Sequence, residues 1–167
     1  FCVPLLTDSV TIYTDEKGMP HIYAKNEHDV YLATGFISAR ERLWQMDLFR
    51  RSCTGRLSEI FGKIFLQSDI FTRSLRINEK SKLILFEENP EIIACMQAFI
   101  DGVNDYIVSC GKDLPVEFRI LSYTPEPWTL EDIAGIIRLL GWNLDSRNLT
   151  SELFIYQATK KLGSEIA

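Results

Sequence analysis

The chain has 167 residues, 46% of them hydrophobic and 25% charged, with 18 basic and 23 acidic side chains giving a net charge of −5. That acidic balance excludes broad phosphate-backbone binding, which needs clustered Lys and Arg to displace counterions, so no nucleic-acid partner is expected. The apolar and aromatic content excludes disorder, and the length suits one domain with a sizeable core. No run approaches the ~20 apolar residues of a membrane helix; the nearest, 133–144, is broken by Arg138 and Asn143. No basic segment leads into an apolar core at the start, so any signal peptide is expected to have been removed. Residues 1–167 read as a single segment without internal repeats.

The first element is a β-hairpin. Val10, Ile12 and Ile22 alternate with polar neighbours, and Asp15-Glu16-Lys17-Gly18 supplies the turn. Pro20 lacks an N–H and predicts a strand start or an edge there. Helical periodicity dominates after Asn26. From His28 to about Arg51, Ala33, Phe36, Ala39, Leu43 and Met46 form one apolar stripe, with Arg40-Glu41-Arg42 as a polar interruption. Gly55 predicts a stop, followed by a short helical piece, 56–61, running into Gly62. Residues 68–85 are mixed, with Ile70, Phe71, Leu75 and Ile77 expected to be buried.

Asn89-Pro90 is a strong helix start, and Gly111 a good stop for the apolar stripe between them. Residues 112–127 predict a loop, with Phe118, Ile120, Leu121 and Tyr123 packed beneath it. Thr129 and Asp132 predict a capping box. The helix it opens is expected to bury Ile133, Ile136, Ile137 and Leu140 and to loosen at Trp142-Asn143, before a last helix over about 150–162.

The residues offer no self-contained catalytic machine. His21 and His28 belong to no nucleophile motif; the first reads as a packed or hydrogen-bonded residue, the second as a solvated one. Phosphate-binding glycine patterns are absent. Asp101 and Asp105 stand one turn apart and read as a solvated helix face. Cys2, Cys53, Cys95 and Cys110 have no zinc-ligand spacing, and Cys95 and Cys110 read as buried free thiols on an apolar stripe.

A set of fixed spacings changes this picture. Val10, Ile12, Asp15, Gly18, Pro20, His21, Ile22 and Ala24 form V-x-I-x-x-D-x-x-G-x-P-H-I-x-A. Ala39, Arg42, Leu43, Gln45 and Met46 follow, and then Arg50, Arg51, Gly55, Leu57 and Glu59 as R-R-x-x-x-G-x-L-x-E. The later landmarks are FIDGVNDYI, YTPEPWTLEDI and LLGWNLDSRNLTSELF. Together they closely resemble the α chain of the penicillin acylase family.

The resemblance implies an N-terminal nucleophile hydrolase, made as one precursor that cuts itself into α and β chains. The fold it implies for this chain is mainly α with a short β-hairpin, the α-chain portion of an αββα heterodimer. The nucleophile would be the serine that opens the β chain, with its own α-amine as general base, so a chain without a triad is what an α subunit should look like. The substrate would be an N-acylated amide, such as a β-lactam side chain or an acyl-homoserine lactone.

Glu152 matches the family's acidic ligand to a structural calcium shared with the β chain. The substrate-facing stretch corresponds to Trp142, Asn143, Asp145 and Ser146, where penicillin G acylases present a methionine, an arginine and a phenylalanine. That departure makes the segment more similar to the branch with acyl-homoserine-lactone and lipopeptide acylases, and an aliphatic acyl group at least as good a candidate as an aromatic one. Arg42, Arg50 and Arg51 read as structural ion-pair formers. A periplasmic or secreted location is implied. An inactive homologue and an autonomous helical binding module remain the alternatives.

Overall fold

A computed structural model describes residues 5–111 and 113–163, the side chain of Arg147 apart. The fold is helical apart from one hairpin, as the sequence predicts. Strands β1 (Thr11–Thr14) and β2 (Pro20–Tyr23) pair antiparallel with Ile12 opposite Ile22 and Tyr13 opposite His21. Asp15 makes the turn: its Oδ1 accepts from the N–H groups of Lys17 and Met19, both at 2.9 Å. The His21 ring sits 3.2 Å from Asp15 Oδ2, so its role is hydrogen-bonded, as expected. Cys2 lies outside the described residues.

Helix α1 (Glu27–Thr54) is capped by Asn26, whose Oδ1 accepts from the Asp29 N–H at 2.8 Å. Asp29 is fully buried and straps the chain ahead of the hairpin to this helix, accepting from Thr7 N, Thr7 Oγ1, Asp8 N and Asn26 Nδ2. His28 lies against the same carboxylate at 3.0 Å, so it is a partner of Asp29 rather than a purely solvated residue. The polar interruption coincides with a kink: Arg42 leaves helical geometry at φ −141°, ψ 20°. Gly55 ends the helix in the left-handed region, where a Cβ would also lie 2.7 Å from the Asp69 carbonyl oxygen.

The chain then runs through α2 (Ser58–Phe61), a 3-10 turn over Gly62–Phe65, α3 (Leu66–Ser74) and α4 (Ile77–Glu87). Ile77 is buried and Leu75 half-buried, but Ile70 and Phe71 are exposed, which corrects the expectation for those two. The short α3 turns its Asp69–Thr72 side inward instead. There Asp69 accepts from the N–H groups of Leu57 and Ser58 at 3.0 and 2.7 Å, satisfying donors at the start of α2.

Helix α5 (Pro90–Cys110) starts at the Asn89 cap and stops at Gly111, as predicted. It meets α1 backbone to backbone. A Cβ on Gly102 would lie 1.9 Å from the Leu32 carbonyl oxygen, and one on Gly35 1.9 Å from that of Phe99. Around this crossing Ala39, Leu43, Ile100, Val103, Phe118 and Trp128 form the main core, with Trp44 edge-on to Phe118 at 5.3 Å. The segment read as a loop carries a short helix, α6 (Val116–Ile120); Phe118 is buried beneath it, while Ile120 points outward. Cys95 and Cys110 are free but only half-buried. Asp101 accepts from Gln97, whereas one oxygen of Asp105 is buried without a partner among the described residues, so the pair is not simply a solvated face.

Helix α7 (Leu130–Leu162) opens on the predicted capping box, with Thr129 N–H and Oγ1 both donating to Asp132 Oδ2. It runs unbroken through Trp142-Asn143, so the separate last helix is one with it. Gly and Asn each cost a helix about 0.5–1 kcal/mol relative to Ala, too little to stop a cooperative helix already nucleated on a packed first half. The buried positions are Ala134, Gly135 and Leu139, not Ile137 and Leu140, which are exposed; Ile133 and Ile136 are half-buried. Ile133, Ile136, Ile137 and Leu140 do share one face at 3.6 residues per turn, but α7 turns its Ala134–Gly135 and Leu139 side inward, where a Cβ on Gly135 would lie 3.0 Å from the Cys53 sulfur. Among the described residues, no helix is long and apolar enough to cross a membrane.

Candidate functional site

The predicted substrate-facing residues lie at the middle of α7, where α4 packs against it. A cleft of about 280 Å³ is lined by Leu75, Ile77, Lys80, Arg138, Gly141, Trp142 and Asp145. Trp142 is half-buried, its ring 6.3 Å from that of Phe71. At 3.6 residues per turn, Trp142, Asp145 and Ser146 share one face, while Asn143 sits about 100° round from Trp142. The structure therefore brings Trp142 and Asp145 together, leaves Ser146 a turn along the same face, and turns exposed Asn143 away from the cleft.

Lys80, Arg138, Leu75 and Phe71 complete the surroundings, and the sequence reading did not find them. Three of them belong to other elements some sixty to seventy positions earlier, and only the fold juxtaposes them. The result is an apolar aromatic wall with two cations and one carboxylate at its rim. Such a cleft suits an apolar group attached to a polar or anionic one. Among the described residues its lining contains no serine, threonine, cysteine or histidine.

Glu152 is exposed on the same side of α7 as Asp145, seven residues on. That spacing puts the two Cα positions about 10.5 Å apart along the axis. Among the described residues there is no group of three or more potential metal ligands. One exposed carboxylate fits the part of a single ligand in a site completed from elsewhere, and no more.

A buried charge network orients α7. Asp47, fully buried, accepts from Arg50, from Arg51 Nε at 3.0 Å and from the Tyr123 hydroxyl at 2.7 Å. Arg50 also donates to the Glu126 and Pro127 carbonyls at 2.8 and 3.2 Å and lies over the Trp128 ring; Arg51 reaches Glu59 and lies over Tyr123. Asn104 fixes Trp128 through two further bonds, to its carbonyl and from its N–H. The R-R-x-x-x-G-x-L-x-E spacing is thus a clamp that holds the segment leading into α7. Arg50 and Arg51 do form structural ion pairs, as expected, but within the chain; Arg42 is exposed at the kink and takes no part.

The outer part of this clamp is acid-sensitive. Arg56 grips Glu126 with two bonds at 2.8 and 2.9 Å and holds its carboxyl at about 2, below the ordinary glutamate value. Burial pushes Asp29 upward, but its hydrogen bonds from Thr7, His28 and Asn26 outweigh that and hold it well below the usual carboxylate range. A depressed carboxyl contributes stability above its unfolded pKa and loses it as pH falls through the folded one. Denaturation midpoints should therefore hold from about pH 7 to about 4.5 and decline progressively toward pH 2. Glu126→Gln should flatten part of that decline; an acid limb identical to the parent's would exclude Glu126 from it.

Residues 9–167 match the profile of the family described as penicillin amidase. The chain belongs to the penicillin amidase family. Penicillin acylase 2 proenzyme of Pseudomonas sp. (strain SE83) is 35% identical over 139 residues, which are 83% of this chain and 18% of that protein. Acyl-homoserine lactone acylase QuiP of Pseudomonas syringae pv. tomato is 31% identical over 160 residues, 96% of this chain and 19% of the relative. This member of the family therefore spans less than a fifth of the length of those curated relatives. A thermostable penicillin G acylase from Alcaligenes faecalis shares the fold with a TM-score of 0.76 at 24% identity, over 94% of this chain and 86% of that one. The mainly helical architecture with one hairpin is thus the family's own.

Proposed function

We propose that this chain is the α subunit of an N-acyl amide hydrolase and that it forms one wall of the acyl pocket for a nucleophile carried by a second chain. The observation that carries this reading is the second half of α7. Beyond the Trp142 cleft, Leu144, Leu149, Leu153, Phe154, Ile155 and Tyr156 are all exposed, and they point in every direction round the helix. Large apolar side chains left uncovered on several sides of a helix mark a surface that something else covers. The residues with the strongest claim to substrate contact thus sit where this chain's own packing stops.

Lengths support the same reading. The proenzyme relative is matched over 18% of its length, whereas the solved acylase chain of the same fold is matched over 86% of its own. A short chain cut from a long precursor accounts for both figures. In this reading a serine at the start of the second chain attacks the amide carbonyl and its α-amine takes the hydroxyl proton; the resulting ammonium then returns that proton to the leaving nitrogen as the C–N bond breaks and the acyl-enzyme forms. Water then releases the acid. The part of this chain is positioning: Trp142, Phe71 and Leu75 hold the acyl group by apolar contact, while Asp145, Lys80 and Arg138 at the rim address the polar end of the substrate. Ser146 and Asn143 face the enclosing chain. Glu152 donates one carboxylate to a calcium whose remaining ligands come from that chain. The assembled enzyme works in the periplasm or outside the cell, on N-acyl compounds such as β-lactams or acyl-homoserine lactones.

The test is made on the whole precursor. N-terminal sequencing of the mature protein should find a second chain beginning with Ser, Thr or Cys, and the protein should release acid from N-acyl substrates. Trp142→Ala should change the ratio of kcat/KM between short and long acyl chains by about tenfold, the effect of losing 1–2 kcal/mol of apolar contact. Glu152→Gln should lower bound calcium without altering that ratio. A single uncut, inert chain would overturn the reading, and an unchanged acyl-length profile would remove Trp142 from the pocket.

A further inference from the structure

The stretch from the 3-10 turn through α3 and α4 carries exposed apolar side chains of its own, apart from those on α7. Among the described residues, the two most exposed large apolar side chains are Phe86 at 88% and Ile64 at 83%, and both belong to this stretch. Helix α4 packs Ile77 and Ser81 against α7, so Lys82, Leu83 and Phe86, within one turn of each other, look away from the protein. Helix α3 turns Asp69 and Thr72 inward, which leaves Leu66 and Ile70 outside. The charge here is also unlike that of the rest of the molecule. Residues 62–87 hold five basic and three acidic side chains, a net of +2, whereas the remainder of this −5 chain carries −7. One of those three acids, Asp69, is buried. Lys63 and Lys82, beside Ile64 and Leu83, are exposed and take part in none of the ion pairs among the described residues.

We propose that this stretch docks the assembled protein on the anionic surface of a lipid bilayer. Ile64, Leu83 and Phe86 enter the boundary of the acyl chains, while the stems of Lys63 and Lys82 lie along it and their ammonium groups meet acidic headgroups. Lysines interleaved with large apolar side chains suit such an interface, which is apolar on one side and charged on the other. A second copy of the chain fits less well, because a two-fold contact would set this basic stretch against itself. The net charge of −5 does not prevent docking: at physiological salt it is screened over about 8 Å, whereas the lysines touch the surface. The same stretch supplies Leu75, Ile77 and Lys80 to the Trp142 cleft, so the docked surface borders that cleft. Under the function proposed above, the enzyme then takes apolar acyl chains from lipid; the docking itself does not depend on that reading.

The test uses the mature assembled protein and vesicles of phosphatidylcholine, alone or mixed with phosphatidylglycerol, with binding read by co-sedimentation. Binding to the mixed vesicles should be about tenfold tighter or more, and should fall as salt is raised. Each basic side chain near such a surface is worth about fivefold in affinity, so Lys63→Gln with Lys82→Gln should remove most of the difference between the two vesicle types. Ile64→Asp with Phe86→Asp should weaken binding to the mixed vesicles by about tenfold or more, through lost apolar burial and added repulsion. Val108→Asp, at a side chain 79% exposed on α5, should leave it unchanged. None of these residues lines the Trp142 cleft, so hydrolysis of a short, water-soluble N-acyl substrate should be the same in every variant.

Equal binding to both vesicle types, whether strong or absent, overturns the proposal; its absence is the result expected if a second chain covers the stretch. Binding that Val108→Asp weakens as much as the Ile64 and Phe86 pair overturns it too. So does self-association without vesicle binding that this pair of substitutions abolishes, which marks a second copy as the occupant. N-terminal sequencing keeps the two readings apart. Two chains that ignore anionic vesicles reject the docking and leave the heterodimer. One uncut chain that binds them rejects the heterodimer and leaves the docking.

Discussion

Asp47→Ala should lower the stability of this protein by about 3–5 kcal/mol, the cost of breaking a buried ion pair from one side. The carboxylate is fully buried, and the two guanidinium groups it serves are 5% and 6% exposed. Its removal leaves two cations and the Tyr123 hydroxyl facing a void. Against a total of about 5–15 kcal/mol, such a loss makes accumulation of folded protein marginal. Urea denaturation of the purified variant measures it directly. Asp47→Asn should fall between parent and alanine, because it keeps the shape and one acceptor but not the charge. Since Arg50 also holds the Glu126 and Pro127 carbonyls, the damage should spread to the segment that sets α7, and with it Trp142. A loss below about 1 kcal/mol would mean that water or rearrangement replaces Asp47 and that the clamp does not position α7.

Gly102→Ala should be comparably severe for a different reason. Its Cβ would sit 1.9 Å from the Leu32 carbonyl oxygen and 2.8 Å from the Phe36 nitrogen, both rigid backbone of α1. No side-chain rotation relieves that contact, so the helices must separate, opening the core at Ile100, Val103 and Leu43. Overpacking ordinarily costs about 1–3 kcal/mol, and a backbone clash belongs at or above the upper end. Gly35→Ala meets Phe99 in the same way and should behave alike, while the double variant should cost less than the sum because one separation serves both. Gly141→Ala is the contrast: nothing among the described residues lies within 4 Å of its Cβ, so helix propensity predicts a small gain for this chain alone. Thermal melts of Gly102→Ala within a degree or two of the parent would refute the close crossing.

The landmark motifs now have physical meanings, and these differ in how far the sequence discloses them. The Gly in FIDGVNDYI is the α1–α5 contact, the paired arginines are the clamp on Asp47, and YTPEPW supplies the carbonyls and rings that receive it. Spacing alone could have flagged Asp47, three and four residues before Arg50 and Arg51, since such pairs face each other on a helix. Tyr123 could not have been found that way, being 76 positions distant. Resemblance singled out Trp142 and Asp145, but that Lys80, Arg138 and Phe71 lie around them could not be read from the sequence.

What the sequence determined by itself was local or compositional. The hairpin turn at Asp15–Gly18, the Asn89-Pro90 start, the Thr129/Asp132 box and the Gly55 and Gly111 stops all depend on atoms within about five residues of each other. Tertiary structure alone decided which apolar residues face inward. Ile70, Phe71, Ile120, Ile137 and Leu140 satisfy the same hydrophobic pattern as their buried neighbours, yet they remain outside. The pattern reports that a side chain is apolar; it does not report which other element arrives to cover it. In this chain the distinction matters most along the second half of α7, where Leu144, Leu153, Phe154 and Tyr156 stay exposed.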